Sequence, residues 1–221
     1  MVKFKINRLP DVHIVDRYLA TTKKLGVQND GKGLDYFIPE SDQVEISERF
    51  GITNNYIAFA IGAAHATKRL PTDKIIAICQ QLTSPTLLLG GPAEQEIGEQ
   101  IAAQSGQHII NTCGQLNLYQ SASIIQQAQA VITHDTGMMH VAAAFQKRII
   151  SVWGNTIPEF GMSPYYRNAP TQNTSVEVNN LSCRPCSKIG HTVCPKGHFK
   201  CMQEQDVEKI VRLTLETLKG T

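Results

Sequence analysis

At 221 residues with 42% hydrophobic side chains, the chain carries enough apolar material for a packed core. A formal net charge of +2 with 18% charged residues leaves no broad basic face for nucleic acid or an acidic membrane, so any anion site must be local. No apolar stretch approaches the roughly 20 residues that span a bilayer, and MVKFKINRLPD lacks the apolar centre of an export signal, so a cytoplasmic protein is expected.

In DVHIVDRYLATTKKLG, Val12, Val15, Leu19 and Leu25 recur near helical spacing, which predicts an amphipathic helix stopping at Gly26. VQNDGKG is turn chemistry, and LDYFIPESDQVEISERFGI reads as a connector with a short helix within residues 41–50. Residues 1–54 therefore form an N-terminal helix and connector, and residues 55–221 form the main domain.

Beyond the connector the pattern becomes regular. The runs YIAFAI, PTLLLGG, HIINTCG, AQAVITH and RIISVWG alternate with helical stretches at residues 72–82, 93–104, 119–127 and 138–145. Continuous rather than alternating apolar runs predict strands buried on both faces. Right-handed crossovers then give an α/β fold, a Rossmann-like doubly wound parallel sheet. The tail offers an edge strand in TSVEVNN, a cysteine-rich loop at residues 183–201 and a last amphipathic helix at residues 205–218.

In such a sheet, ligands sit outside the carboxyl ends of the strands, so the loops leaving a strand for a helix are the candidates. In HDTGMMH, Asp135 or Thr136 can cap the helix, while Gly137 lets a ligand approach the free N–H groups of its first turn. His140 stands one turn in, within reach of a phosphate oxygen. In GAAHATKRLP, Thr67 and Lys68 are placed to meet a phosphate, and in GGPAEQE either Glu94 or Glu96 can accept hydrogen bonds from a ribose. None of these loops matches G-x-G-x-x-G or the P-loop, which argues against an NAD-linked oxidoreductase. Lys147 and Arg148 lead from a helix back into a strand and belong at the opposite end of the sheet.

CRPCSKIGHTVCPKGHFKC spaces Cys183, Cys186, Cys194 and Cys201 as C-x2-C-x7-C-x6-C, a set able to hold a structural Zn²⁺. Reduced, packed thiols, or disulfides formed on oxidation, are the alternatives.

LLLGGPAEQE, ITHDTGMMHVAAAFQKRIISVWGNTIPEFGMSPY and CRPC…CPKGHFKCM together resemble the C-terminal half of glycosyltransferase family nine, the ADP-heptose:lipopolysaccharide heptosyltransferases. The resemblance covers residues 56–202 and implies one half of a GT-B enzyme, in which two Rossmann-like domains face each other across a cleft. It implies a nucleotide-sugar donor of the ADP-heptose type, held without a required metal. The backbone of Thr136, Gly137 and Met138 would hold the diphosphate, with Asp135 and His140 close to phosphates and sugar. Lys68, with Thr67, would match the family's phosphate-binding lysine loop, and Glu94 or Glu96 its ribose-binding acid. The family's opening strand and glycine-aspartate loop, which supply the acceptor site and the base, have no counterpart here. The glycan or lipid-linked acceptor is therefore expected to be served by a missing domain, no catalytic residue is assigned within this half, and the inner face of the inner membrane is the implied location. The competing reading is a non-enzymatic interaction module with a vestigial nucleotide site. Amphipathic first and last helices lead us to expect self-association under either reading.

Overall fold

The structure is a computed structural model and describes residues 1–167 and 172–219. Its strands form where the apolar runs lie: β1 (Ile57–Ala60), β2 (Thr86–Leu89), β3 (Ile109–Asn111), β4 (Ala130–His134), β5 (Arg148–Trp153) and β6 (Asn173–Glu177). They assemble in the order β3-β2-β1-β4-β5-β6, and every neighbouring pair is parallel. This is the Rossmann order, with its topological switch between β1 and β4.

Parallel neighbours require crossovers, and helices supply them. In chain order the helices are α1 (Ile14–Thr21), α2 (Ile46–Phe50), α3 (Thr72–Gln81), α4 (Gln95–Ser105), α5 (Leu118–Gln127), α6 (Gly137–Ala144), α7 (Lys200–Gln203) and α8 (Val207–Lys219). Because successive strand residues point to opposite faces, β1 feeds two cores at once. Ile57, Phe59 and Ile61 pack with Ile75, Ile78, Ile101 and Ile210, from α3, α4 and α8. Ala58 and Ala60 face the other way, toward Ile124, Ile125, Met139 and Ala142 of α5 and α6. Each large side chain sealed in this way contributes about 1.5–3 kcal/mol. The small Ala142 and Ala143, both wholly buried, let α6 lie close on the sheet.

The connector belongs partly to this core. Val44, Ile46 and Ile52 are buried, and the Val44 N–H donates to Ser123 Oγ at 2.9 Å. Helix α1 buries no residue. It ends, through a 3-10 turn at Lys23–Leu25, on Gly26 in the left-handed region (φ 77°), as the sequence predicts. Its N-terminus rests on the loop after β5: the Ile14 N–H donates to the Gly161 carbonyl at 2.7 Å. Gly161 has φ +78°, and a Cβ there would stand 2.8 Å from the Val12 carbonyl oxygen, so only glycine allows this approach. The edge strand starts one residue before TSVEVNN and stops at Glu177, pairing with β5. Among the described residues no helix is long and apolar enough to cross a membrane.

Candidate functional site

Loops leaving β1, β2, β4 and β5 meet over the switch point. The loop after β1 folds into a 3-10 turn at Ala66–Lys68, which places Lys68 Nζ 2.7 Å from Asp135 Oδ2 at the end of β4. The same carboxylate oxygen accepts a hydrogen bond from Thr156 Oγ1 at 2.8 Å, so three strand ends converge on Asp135.

With Asp135 turned toward Lys68, it does not cap the following helix. Thr136 occupies the N-cap position of α6, yet no side chain caps the helix. The N–H groups of Gly137 and Met138 consequently find no acceptor among the described residues. They point outward with the partial positive charge of a helix N-terminus, and the partly buried Lys68 pairs with the adjoining Asp135. Gly137 is exposed, and a Cβ added there would meet nothing within 4 Å. The glycine thus leaves open space above the helix rather than relieving an internal clash.

His140 is half-buried in the first turn of α6. Burial pulls its pKa below the usual histidine value; nearby Asp135 opposes that shift, while His13 and Lys68 reinforce it. It therefore faces the site as a neutral imidazole, able to donate one N–H without adding charge.

The β2 loop places the two glutamates differently. Glu94 is 8% exposed, its Oε2 accepts the Gly91 N–H at 2.9 Å, and its Oε1 lies 3.3 Å from Arg69 Nη1. Its carboxylate occupies the space above Gly62, where a Cβ would approach within 3.1 Å, so it reaches from the end of β2 to that of β1. Glu96 is exposed on α4, with no hydrogen bond or ion pair to another of the described residues. Thr67 is buried beside Lys68. Its hydroxyl accepts the His191 N–H at 2.8 Å and donates to the His191 carbonyl at 3.1 Å, so here it ties the β1 loop to the cysteine-rich segment and leaves Lys68 to face the site. The sequence alone does not show that the segment folds back onto this loop.

Three supporting residues were not singled out from the sequence. His134 is wholly buried, and its Nε2 accepts the Leu70 N–H at 3.0 Å, pinning the β1 loop to the end of β4. Burial is the main cause that drives its pKa down to about 4, so it is neutral at physiological pH. Thr156 stands just past β5, where its place beyond a strand end was the available signal. Arg184 holds Thr156 in turn, donating Nη2 to its carbonyl at 3.0 Å and pairing with Glu177 Oε2 at 2.7 Å. Arg148, by contrast, opens β5 and donates Nη1 to the Thr217 carbonyl on α8, at the opposite end of the sheet.

All six cysteines are free thiols. Among the described residues no group of three or more His, Cys, Asp or Glu side chains forms a ready-made metal cage, Cys183, Cys186, Cys194 and Cys201 included.

Comparison with known proteins settles the lineage. The model of glycosyltransferase family 9 (heptosyltransferase) matches residues 1–196. The chain belongs to this family. Among the family's curated proteins, lipopolysaccharide heptosyltransferase 2 of Escherichia coli is 25% identical over 164 residues, covering 66% of this chain and 47% of that protein. Lipopolysaccharide heptosyltransferase 1 of Pseudomonas aeruginosa is 28% identical over 193 residues, covering 83% of this chain and 50% of the relative. The chain thus spans about half the length of these relatives. Among solved structures, the family 9 glycosyl transferase from Veillonella parvula superposes with TM-score 0.75 at 23% identity, covering 97% of this chain and 63% of that one. ADP-heptose lps heptosyltransferase II of E. coli gives TM-score 0.64 at 19% identity, covering 84% and 53%. These likenesses establish a shared Rossmann-like fold.

Proposed function

We propose that this chain is the donor-binding side of a heptosyltransferase of lipopolysaccharide biosynthesis, holding a nucleotide-diphosphate sugar of the ADP-heptose type. One observation carries the reading: at the sheet's switch point, Lys68 and Asp135 lie beside the unpartnered N–H groups of Gly137 and Met138. A diphosphate is the ligand class that uses a lysine and a helix N-terminus together. Thr136, Gly137 and Met138 hold the diphosphate through their backbone, Lys68 donates an N–H to it while screening Asp135, and Glu94 accepts the ribose hydroxyls. Glu96 has no part in this assignment.

In the transfer, the acceptor oxygen bonds to the anomeric carbon as the bond from that carbon to the diphosphate oxygen breaks. Negative charge gathers on the departing diphosphate, and donors already aimed at that position lower the barrier. Lys68 and the α6 N-terminus supply that stabilisation, and neutral His140 donates a hydrogen bond. The base that takes the acceptor's proton, and the surface that seats a glycan or lipid-linked acceptor, are assigned to the part of the relatives' length this chain does not span.

The test is nucleotide selectivity. Thermal unfolding of the chain is followed with ADP, UDP and NAD in turn. The reading expects ADP alone to raise the transition temperature; equal responses to all of them, or a response to NAD alone, would overturn it.

A further inference from the structure

We propose that Arg69 is a positioning residue for the nucleotide: it fixes the Glu94 carboxylate so that its two oxygens receive the two hydroxyls of a ribose, which makes the site selective for ribonucleoside diphosphates over their deoxy analogues. The inference rests on the donor-binding reading and deepens it at the same site.

Lys68 and Arg69 are neighbours in sequence, yet they serve two acids from different strand ends. Lys68 Nζ meets Asp135 beyond β4, and Arg69 Nη1 lies 3.3 Å from Glu94 Oε1 beyond β2. The backbone that carries Arg69 is pinned on both sides. Its own N–H donates to the Ala66 carbonyl at 3.1 Å, and the next one, of Leu70, donates to the buried His134 Nε2 at 3.0 Å. The side chain is tied as well, because Nε donates to the Ala63 carbonyl at 2.8 Å. A guanidinium carries its N–H groups in one rigid plane, so the bond to Ala63 sets the direction in which the others point. Arg69 therefore arrives at Glu94 already oriented.

Glu94 is held from its other side by the Gly91 N–H, which donates to Oε2 at 2.9 Å. Each carboxylate oxygen thus has one partner among the described residues, Arg69 on Oε1 and Gly91 on Oε2. An ionised carboxylate offers about four lone-pair positions, so each oxygen keeps room for one further donor. The vicinal hydroxyls of a ribose are two such donors side by side, and they match a carboxylate whose plane is fixed. Held at Oε2 alone, the group could swing about its last side-chain torsion, which is intrinsically broad. The pair with Arg69 is not there chiefly for stability: the arginine side chain is 34% exposed, and ion pairs that open to solvent add little. Its consequence lies in where it leaves the carboxylate. A site arranged to receive hydroxyls rejects a ligand that lacks them, because its acceptors are then left unpaired.

The test is calorimetric titration of ADP, 2′,3′-dideoxy-ADP and inorganic pyrophosphate into the unaltered chain, Arg69→Gln and Arg69→Lys. The unaltered chain should prefer ADP over the dideoxy analogue by about tenfold or more. In both variants that ratio should fall to about threefold or less, since neither glutamine nor lysine can hold Ala63 and Glu94 together as a planar fork does. Pyrophosphate, which has no ribose, should bind the variants and the unaltered chain alike, and the unfolding temperature should change little. Should Arg69→Gln fail to fold, Arg69→Lys keeps the charge and carries the comparison. An ADP preference unchanged in the folded variants would overturn the positioning role, and so would an equal weakening of all three ligands, which marks a general structural part. ADP and the dideoxy analogue binding the unaltered chain equally would overturn this inference and leave the diphosphate site standing. Failure of the unaltered chain to bind either ADP or pyrophosphate would overturn the donor-binding reading and this inference with it.

Discussion

Lys68 and Asp135 meet with Nζ and Oδ2 2.7 Å apart, their side chains only 15% and 7% exposed. They come from the ends of the two strands flanking the switch point, which places an acid within reach of a site proposed for an anion. The pairing resolves that conflict, because the lysine neutralises the carboxylate while Thr156 hydrogen-bonds the same oxygen.

Lys68→Ala removes the counter-charge and leaves Asp135 facing the incoming phosphates. ADP affinity should fall at least tenfold, about 1.4 kcal/mol. Calorimetric titration of the variant, with folding checked by circular dichroism, measures this; affinity equal to that of the unaltered chain would remove Lys68 from the site.

The two glutamates should separate cleanly. Glu94→Gln weakens the hold on Arg69 and loses the charge offered to ribose hydroxyls, so ADP should bind several-fold more weakly. Glu96→Gln, on an exposed stretch of α4, should bind ADP like the unaltered chain. The reverse order of effects would reassign the ribose contact.

Stability should depend on pH through His134. Its folded pKa of about 4 lies below the ordinary value of 6.5, so between those limits the unfolded chain binds more protons than the folded one. Stability is therefore fully present above the unfolded value and is lost as pH falls from 6.5 toward 4. A gap of this size corresponds to about 3 kcal/mol at most. His140, also shifted down, adds in the same direction. Urea unfolding at a series of pH values reads the slope, and His134→Gln should flatten it; an equally steep dependence in that variant would place the titration elsewhere.

Much of the fold was legible because parallel strands buried on both faces leave unbroken apolar runs, and YIAFAI and RIISVWG became β1 and β5 nearly as written. Strand-end loops are local in sequence, so Lys68, Glu94 and the stretch from Asp135 to His140 could be picked out one by one. Their pairings could not. That Asp135 answers Lys68 rather than capping α6, and that Thr67 grips His191 rather than facing the site, depends on which loops the crossovers bring together. His134 was hidden for the same reason: its partner is the Leu70 N–H, 64 residues earlier. The start of α4 also moved. Residues 92–94 form a 3-10 turn, with the Glu94 carboxylate bent back onto the Gly91 N–H.

The most direct measurement of the central claim is calorimetric titration of ADP into the chain and into Gly137→Val. A Cβ added at Gly137 meets nothing within 4 Å, so the variant should fold, and its unfolding temperature is measured alongside that of the unaltered chain. The account predicts ADP binding to the unaltered chain and its loss in the folded variant. Equal ADP affinity in both, or none in the unaltered chain, would contradict a diphosphate site at the N-terminus of α6.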